Sequence, residues 1–328
     1  MRGAVPVAAA VGLALALGAP FLLGGGAALA GLRFVSPQLI LSLAALAALS
    51  GVAKAGKLQA LLISLGQRPP FLRTLGISLA ADFAFLSSPA GAAGYVVNAA
   101  LLRDAGSSWA VATAVVGADQ ALDLVFFAVA VPVAACSALG PLAQVLPKLP
   151  GSAYGALLCA GLVAVCALWY RRRRLAVAFY GLLRVLPWFR KKQEGLREFL
   201  SEVQAQLGML VHGDALRNLV LLLLTSLQWL TRYGVLWLAL LGLGWRLPFG
   251  FVLVLQAGIV HLAQWTGIPA GGGSADMALA LALASWVSAP AMAVVLMLWR
   301  FATLYLPLVI GALSLAALSG HRRVGRLA

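Results

Sequence analysis

A chain of 328 residues that is 62% hydrophobic and 10% charged, with a mean hydropathy of +0.98, is too apolar to need water around it. Its repeated apolar runs of about 18 residues or more are those of a polytopic helical membrane protein. The net charge of +15 comes from 24 Lys and Arg against nine Asp and Glu. These basic residues gather at the ends of apolar runs, so orientation in an anionic bilayer explains them better than nucleic acid does.

In chain order, the stretch from Ala4 to Leu23 is long enough to span. Met1-Arg2 before it and Ala28-Leu29-Ala30 after it also resemble a cleavable signal peptide. Because a polytopic chain follows, a retained first helix is the expectation. Gln38 to Val52 reads as a second span. Lys54 to Arg73 is basic, holds Pro69-Pro70 and contains no acid, which predicts a cytoplasmic interfacial segment. The chain re-enters at Leu75, breaks at Pro89 to Gly94, resumes to Leu102 and turns at Arg103-Asp104-Ala105-Gly106. A long helix from Trp109 to about Cys136 leads to a Pro- and Gly-rich loop whose only charge is Lys148, placed outside.

Ser152 to Tyr170 crosses back and Arg171-Arg172-Arg173-Arg174 stops it on the cytoplasmic side. Arg171 to His212 carries nine Lys/Arg against three Glu, and its apolar residues suit a helix lying on an anionic lipid surface. Leu216 to Leu243 crosses outward and ends near Trp245-Arg246. Phe249 to Thr266 enters again, a second break follows, Met277 to Val287 resumes, and Ala291 to Leu318 is the last span before His321-Arg322-Arg323. Both termini are then cytoplasmic. The whole, residues 1–328, is expected to form one transmembrane domain with approximate halves 1–150 and 151–328.

The breaks are Pro89-Ala90-Gly91-Ala92-Ala93-Gly94 and Pro269-Ala270-Gly271-Gly272-Gly273-Ser274. Proline lacks an N–H and glycine loses the most backbone entropy on ordering, so neither run continues a helix. In hydrocarbon the freed backbone groups survive only when buried in protein or lining a wet cavity. Paired interruptions in two halves point to a transport site between repeats. The fold expectation is therefore an all-α polytopic bundle with two broken, re-entrant hairpins in an inverted repeat.

Four of the nine carboxylates lie within apolar segments: Asp82, Asp119, Asp123 and Asp276. A charge at the bilayer centre costs roughly 2.5–3.5 kcal/mol on insertion scales, so such residues face the interior. Asp119 and Asp123 are four apart on one helix face, with Gln120 beside them. Two such carboxylates share a proton or cation, or pair with a base, for which Arg300 is the natural candidate; its fork suits a lipid phosphate equally well. Gln256, His261 and Gln264 form a stripe leading into the second break. Cys136, Cys159 and Cys166 have no metal-ligand spacing. There is no Ser-His-Asp order, HExxH or CxxC, and Gly271-Gly272-Gly273 is not followed by Lys-Ser/Thr as a phosphate loop requires. No catalytic residue, metal or cofactor is expected.

These same residues resemble the flippase-like membrane region of lysylphosphatidylglycerol synthases. That family has a small-residue break, Gly-Glu-x-x-Arg, a leucine-rich turn and Glu-Arg-x-x-Asp. Here they read Ser88-Pro89 to Gly94-Tyr95-Val96-Val97-Asn98, then Leu101 to Gly106, then Asp119-Gln120-Ala121-Leu122-Asp123. A Pro-Gly-Gly-Leu-Gly-like loop ending in Glu matches Pro269 to Asp276. Arg followed by Tyr-x-x-Pro and Gly matches Arg300, Tyr305-Leu306-Pro307 (one residue shorter) and Gly311. Tyr95, Asn98 and Gln120 stand where the family carries Glu, Arg and Arg, which makes this site less charged and disfavours lysylphosphatidylglycerol itself.

The resemblance, which does not extend to a soluble aminoacyl-transfer domain, implies a lipid flippase or transporter. A phospholipid, a hopanoid or a polyprenyl-linked lipid are the candidate substrates. The substrate-binding set it implies is Asp119, Asp123, Arg300, Asp276, Asn98, Tyr95, Gly271, Gly272, Gly273, Pro269 and Tyr305. Two alternatives stay open: a membrane transferase on lipid-linked donors with Asp119 or Asp123 as base, and a scaffold that recruits lipid-modifying enzymes through the basic segment.

Overall fold

The computed structural model describes Gly18 and residues 30–145, 193–211 and 214–324. Among these residues every regular element is helical. Helix α1 spans Pro37–Ser64, opened by Pro37 and by Ser36, whose hydroxyl accepts the Leu39 N–H at 3.2 Å. A first broken hairpin follows: α2 (Phe71–Leu86), a 3₁₀ turn (Pro89–Gly91) and α3 (Ala92–Asp104). Then come α4 (Trp109–Ser137), capped by Ser108, and the short α5 (Leu139–Val145). Helix α6 (Gln193–Val211) leads to α7 (Ala215–Gly242). The second broken hairpin is α8 (Phe249–Gln264), a 3₁₀ turn (Pro269–Gly271) and α9 (Ser274–Leu283). Helix α10 (Ala289–Arg300) passes through a π turn (Phe301–Tyr305) into α11 (Leu306–Val324).

Four stretches are long and apolar enough to cross a bilayer: α1, α4, α7 and the continuous run Ala289–Ser319 through α10 and α11. Helix α1, at 28 residues, is about 42 Å long against a hydrocarbon core of about 30 Å. The hairpin helices are shorter, with 16 and 13 residues in the first and 16 and 10 in the second.

The order of elements repeats. A 28-residue spanning helix, a 16-residue helix, a Pro-Ala-Gly turn, a second short helix and another spanning stretch occur twice. Pro37 and Ala215, and Phe71 and Phe249, begin matching helices 178 positions apart; Pro89 and Pro269, and Trp109 and Ala289, are 180 apart. The copies agree in fine backbone detail. Ala90 has φ 51° and ψ 17°, and Ala270 has φ 52° and ψ 18°, both left-handed. A non-glycine residue there costs roughly 1–2 kcal/mol, so surrounding contacts must impose it. The turns supply such contacts, because they lie against each other, the first also against α8 and the second against α2.

Around this centre α1 packs along α7, α11 along α2, and α8 along α4. Two glycines bring helices close. A Cβ on Gly94 would come within 2.6 Å of the Phe85 Cβ and 2.9 Å of its Cα. One on Gly311 would run into the Leu79 carbonyl oxygen, so α11 rests on the backbone of α2.

The structure corrects the reading of Lys54 to Arg73 as an interfacial segment. Helix α1 continues without interruption to Ser64, and Lys57, 0% exposed, is among the most deeply buried side chains. Charge at the end of an apolar run marks a membrane boundary only if the helix stops there, and this one does not. The expected spans Ala4 to Leu23 and Ser152 to Tyr170, and most of the basic segment from Arg171, lie outside the described residues.

Candidate functional site

The helices enclose a cavity of about 720 Å³, walled mainly by apolar side chains of α1, α2, α4, α7, α8 and the π turn. Lys54 is on its wall, and Lys57 is buried behind it. Lys54 and Lys57, three apart on α1, meet carboxylates from two neighbouring helices. Lys54 forms an ion pair with Asp82 of α2. Lys57 sits between Asp119 and Asp123 of α4, its Nζ 2.7 Å from one Oδ1 and 2.6 Å from the other. Two like-charged carboxylates around one ammonium remain together because the shared cation offsets their repulsion.

This triad extends in both directions. Trp229 of α7 donates its indole N–H to Asp123 at 2.8 Å. On the other side, Gln120 donates to Asp119 at 3.2 Å and accepts the Tyr95 hydroxyl at 3.1 Å. Tyr95 and Gln120, two of the departures from the family pattern, are therefore bonded to each other. Where the pattern places an acid and a base, this chain has a neutral pair.

Beside Asp123 lies an aromatic cluster lining the same cavity. Phe127 stands 4.7 Å from Trp229, 4.8 Å from His261 and 5.8 Å from Tyr233, measured between ring centroids. His261 Nδ1 lies 2.7 Å from the Ala257 carbonyl oxygen. Since a carbonyl only accepts, Nδ1 carries a proton. Gln256, from the same stripe, is used structurally, donating to the Tyr233 carbonyl at 2.8 Å.

Arg300 does not meet Asp119 or Asp123. It pairs with Asp276 through two bonds, Nε to Oδ1 at 2.8 Å and Nη2 to Oδ2 at 2.6 Å. It also donates to the Ala270 carbonyl at 3.1 Å and stacks on Trp299, 4.5 Å from the ring centroid. Asp276 in turn accepts the Gly273 N–H at 3.0 Å, opening α9. Arg300 is 3% exposed and Asp276 0%. The guanidinium thus occupies the carbonyls that the second break frees, the partner that such a break requires.

The residues singled out in the sequence therefore divide. Asp119, Asp123, Asn98 and Tyr95 line the cavity. Asp276, Gly271, Gly272, Gly273 and Pro269 build the second break, and Arg300 reaches only a small adjoining space of about 50 Å³. Tyr305 packs beside Leu86 and Leu304 where the two breaks meet. Sequence reasoning missed Lys54, Lys57, Trp229 and Arg232. The available signal was the i, i+3 spacing of the lysines within an otherwise apolar 28-residue run.

Apolar helices long enough to cross a bilayer, gathered around a charged interior, define an integral membrane protein of all-α, polytopic architecture. The chain belongs to the family described as the lysylphosphatidylglycerol synthase TM region, whose model matches residues 9–311. It is thus a membrane protein linked to lipid handling. No curated protein matches the chain.

Proposed function

We propose that this protein is a lipid translocator, holding a polar headgroup in the cavity while the acyl or prenyl tails stay in the bilayer. The observation that carries the reading is the cavity itself: about 720 Å³, mostly apolar in wall, with ion-paired side chains from three helices on one side. Charged groups inside a membrane bundle mark substrate or ion paths, and a pocket of this size accommodates a headgroup.

The hairpins fit this role. Their helices, of about 15–24 Å, are too short to cross about 30 Å of hydrocarbon, which favours entry and exit on one side. With a crossing between the halves, the first hairpin enters from inside and the second from outside, giving an inverted repeat. Alternating access then has two equivalent gates around one central site. In the same arrangement both termini face the cytoplasm, and in a bacterium the membrane is the inner one. The role needs no covalent chemistry, cofactor or metal.

Proteoliposomes carrying headgroup-labelled lipids test it. Purified protein should move label between leaflets faster than empty vesicles do, and Asp119→Asn should slow it. Equal rates with and without protein, over phospholipid, hopanoid and polyprenyl-linked probes, would rule transport out.

A further inference from the structure

The cavity's charges balance in number but not in place. Lys54 and Arg232 line it with three carboxylates (Asp82, Asp119, Asp123), and Lys57, buried behind the wall, reaches the last two. Lys54 and Asp82 neutralise each other. Lys57 is divided between two aspartates, so the α4 side retains about one negative charge when both are ionised. Arg232, half-buried in the wall, has no ion-pair partner among the described residues.

The repeat explains why Arg232 is left over. Lys54 and Arg232 are 178 positions apart, equivalent places on α1 and α7. The acid that serves Lys54 is Asp82 on α2; the equivalent place on α8 is Val260, which also lines the cavity. The second half keeps the cation and lacks its acid. A guanidinium facing a membrane cavity without a counter-ion suits a phosphate, whose oxygens match its fork.

The neighbouring part of the wall is suited to an ammonium. The surplus carboxylate is joined there by Phe127, Trp229 and Tyr233, whose ring faces attract cations. Three residues of the cavity wall also carry a buried side-chain atom without a hydrogen-bond partner: Asn98 Oδ1, Gln228 Oε1 and Tyr233 Oη. Their residues are 7%, 4% and 3% exposed. Buried polar groups are normally satisfied, and the two amide oxygens can only accept.

We propose that the cavity takes a zwitterionic, net-neutral phospholipid headgroup, its phosphate on Arg232 and its ammonium between Asp123 and the Phe127–Trp229–Tyr233 cluster. This deepens the translocator reading and rests on it. The charge balance separates such a lipid from anionic phosphatidylglycerol, which offers no cation to the acidic side. It also separates it from lysylphosphatidylglycerol, which carries an extra positive charge.

Native mass spectrometry of the purified full chain, with lipids added in equimolar pairs, tests the assignment. Phosphatidylethanolamine should outcompete phosphatidylglycerol, lysylphosphatidylglycerol and a neutral diglucosyl lipid, each by about tenfold, equivalent to about 1.4 kcal/mol. Arg232→Gln should weaken phosphatidylethanolamine and phosphatidylglycerol together, whereas Asp123→Asn should weaken only the former. Phe127→Leu, which removes a ring face without touching a charge, should lower the same preference if Asp123→Asn does not fold. Binding of all four lipids without discrimination, or preference for either charged lipid or the glycolipid, would overturn the headgroup assignment while leaving translocation standing. Absence of any lipid from the protein, together with no transport in proteoliposomes, would overturn both.

Discussion

The two breaks have nearly the same backbone and opposite chemistry. Ala90 and Ala270 differ by one degree in each dihedral, and each break touches the other. The second is held by a buried Arg300–Asp276 bridge whose guanidinium also takes the Ala270 carbonyl. The first has no charge within its turn. It is closed by Ser88, which accepts the Ala93 N–H at 3.1 Å, and by the approach of Gly94 to Phe85. The charges of the first half sit instead one layer away, in the Lys54–Asp82 pair and the Lys57 triad that border the cavity. One half therefore invests its ion pair in holding a break, and the other places its ion pairs beside the cavity. A repeated fold fixes where groups stand without fixing what they do.

This contrast is broken most severely at Arg300. Replacing it with Ala leaves Asp276 buried and unpaired and frees the Ala270 carbonyl, a loss expected at about 3–5 kcal/mol. Thermal unfolding in detergent should show a marked drop, whereas Arg232→Gln, which removes an unpaired cation, should leave the melting temperature nearly unchanged. Equal effects of the two would contradict the division of roles.

Next in size is Gly311→Ala, which pushes a methyl into the Leu79 carbonyl and separates α11 from α2; about 1–3 kcal/mol of overpacking is expected, read by the same melt. Gly94→Ala should cost a comparable amount by lifting α3 off Phe85. A smaller effect is expected at the exposed end of the ion-pair set. Lys54 and Asp82 are 23% and 15% exposed at their side chains, so Lys54→Met should cost less than Arg300→Ala. Trypsin resistance of the reconstituted protein would rank the two.

The left-handed alanines supply the finest comparison. Ala90→Gly and Ala270→Gly should each relieve about 1 kcal/mol of strain, by similar amounts because the backbones match. A gain at only one would show that the second break's bridge had already absorbed its strain. Smallest of all, Tyr95→Phe removes one hydrogen bond to Gln120 at the cavity edge and should shift the melt by about 1 kcal/mol or less.

Much of this was legible beforehand for a local reason. Pro-Ala-Gly within apolar sequence stops a helix wherever it occurs, so both breaks could be placed without knowing what surrounds them. Trp109 and Phe249 likewise mark helix starts from nearby sequence alone. The carboxylates Asp119 and Asp123 declared themselves by lying one turn apart in an apolar run. Their partner did not. Lys57 lies 66 positions before Asp123, and a lysine near the end of an apolar segment has the same spelling whether it meets headgroups or a buried acid. Arg300 was the closer guess by chemistry, but its reach is taken by Asp276, 24 residues earlier and one helix away.

The sequence by itself determined the solvent, the helical class, the two interruptions and the family pattern, because each depends on composition or on residues within a few turns of one another. Only the tertiary structure decided which charges neutralise each other and which remain. That outcome depends on α1 lying against α2 and α4, and on α9 lying against α10. Burial makes an unpaired charge costly enough that packing, not sequence proximity, chooses the partners.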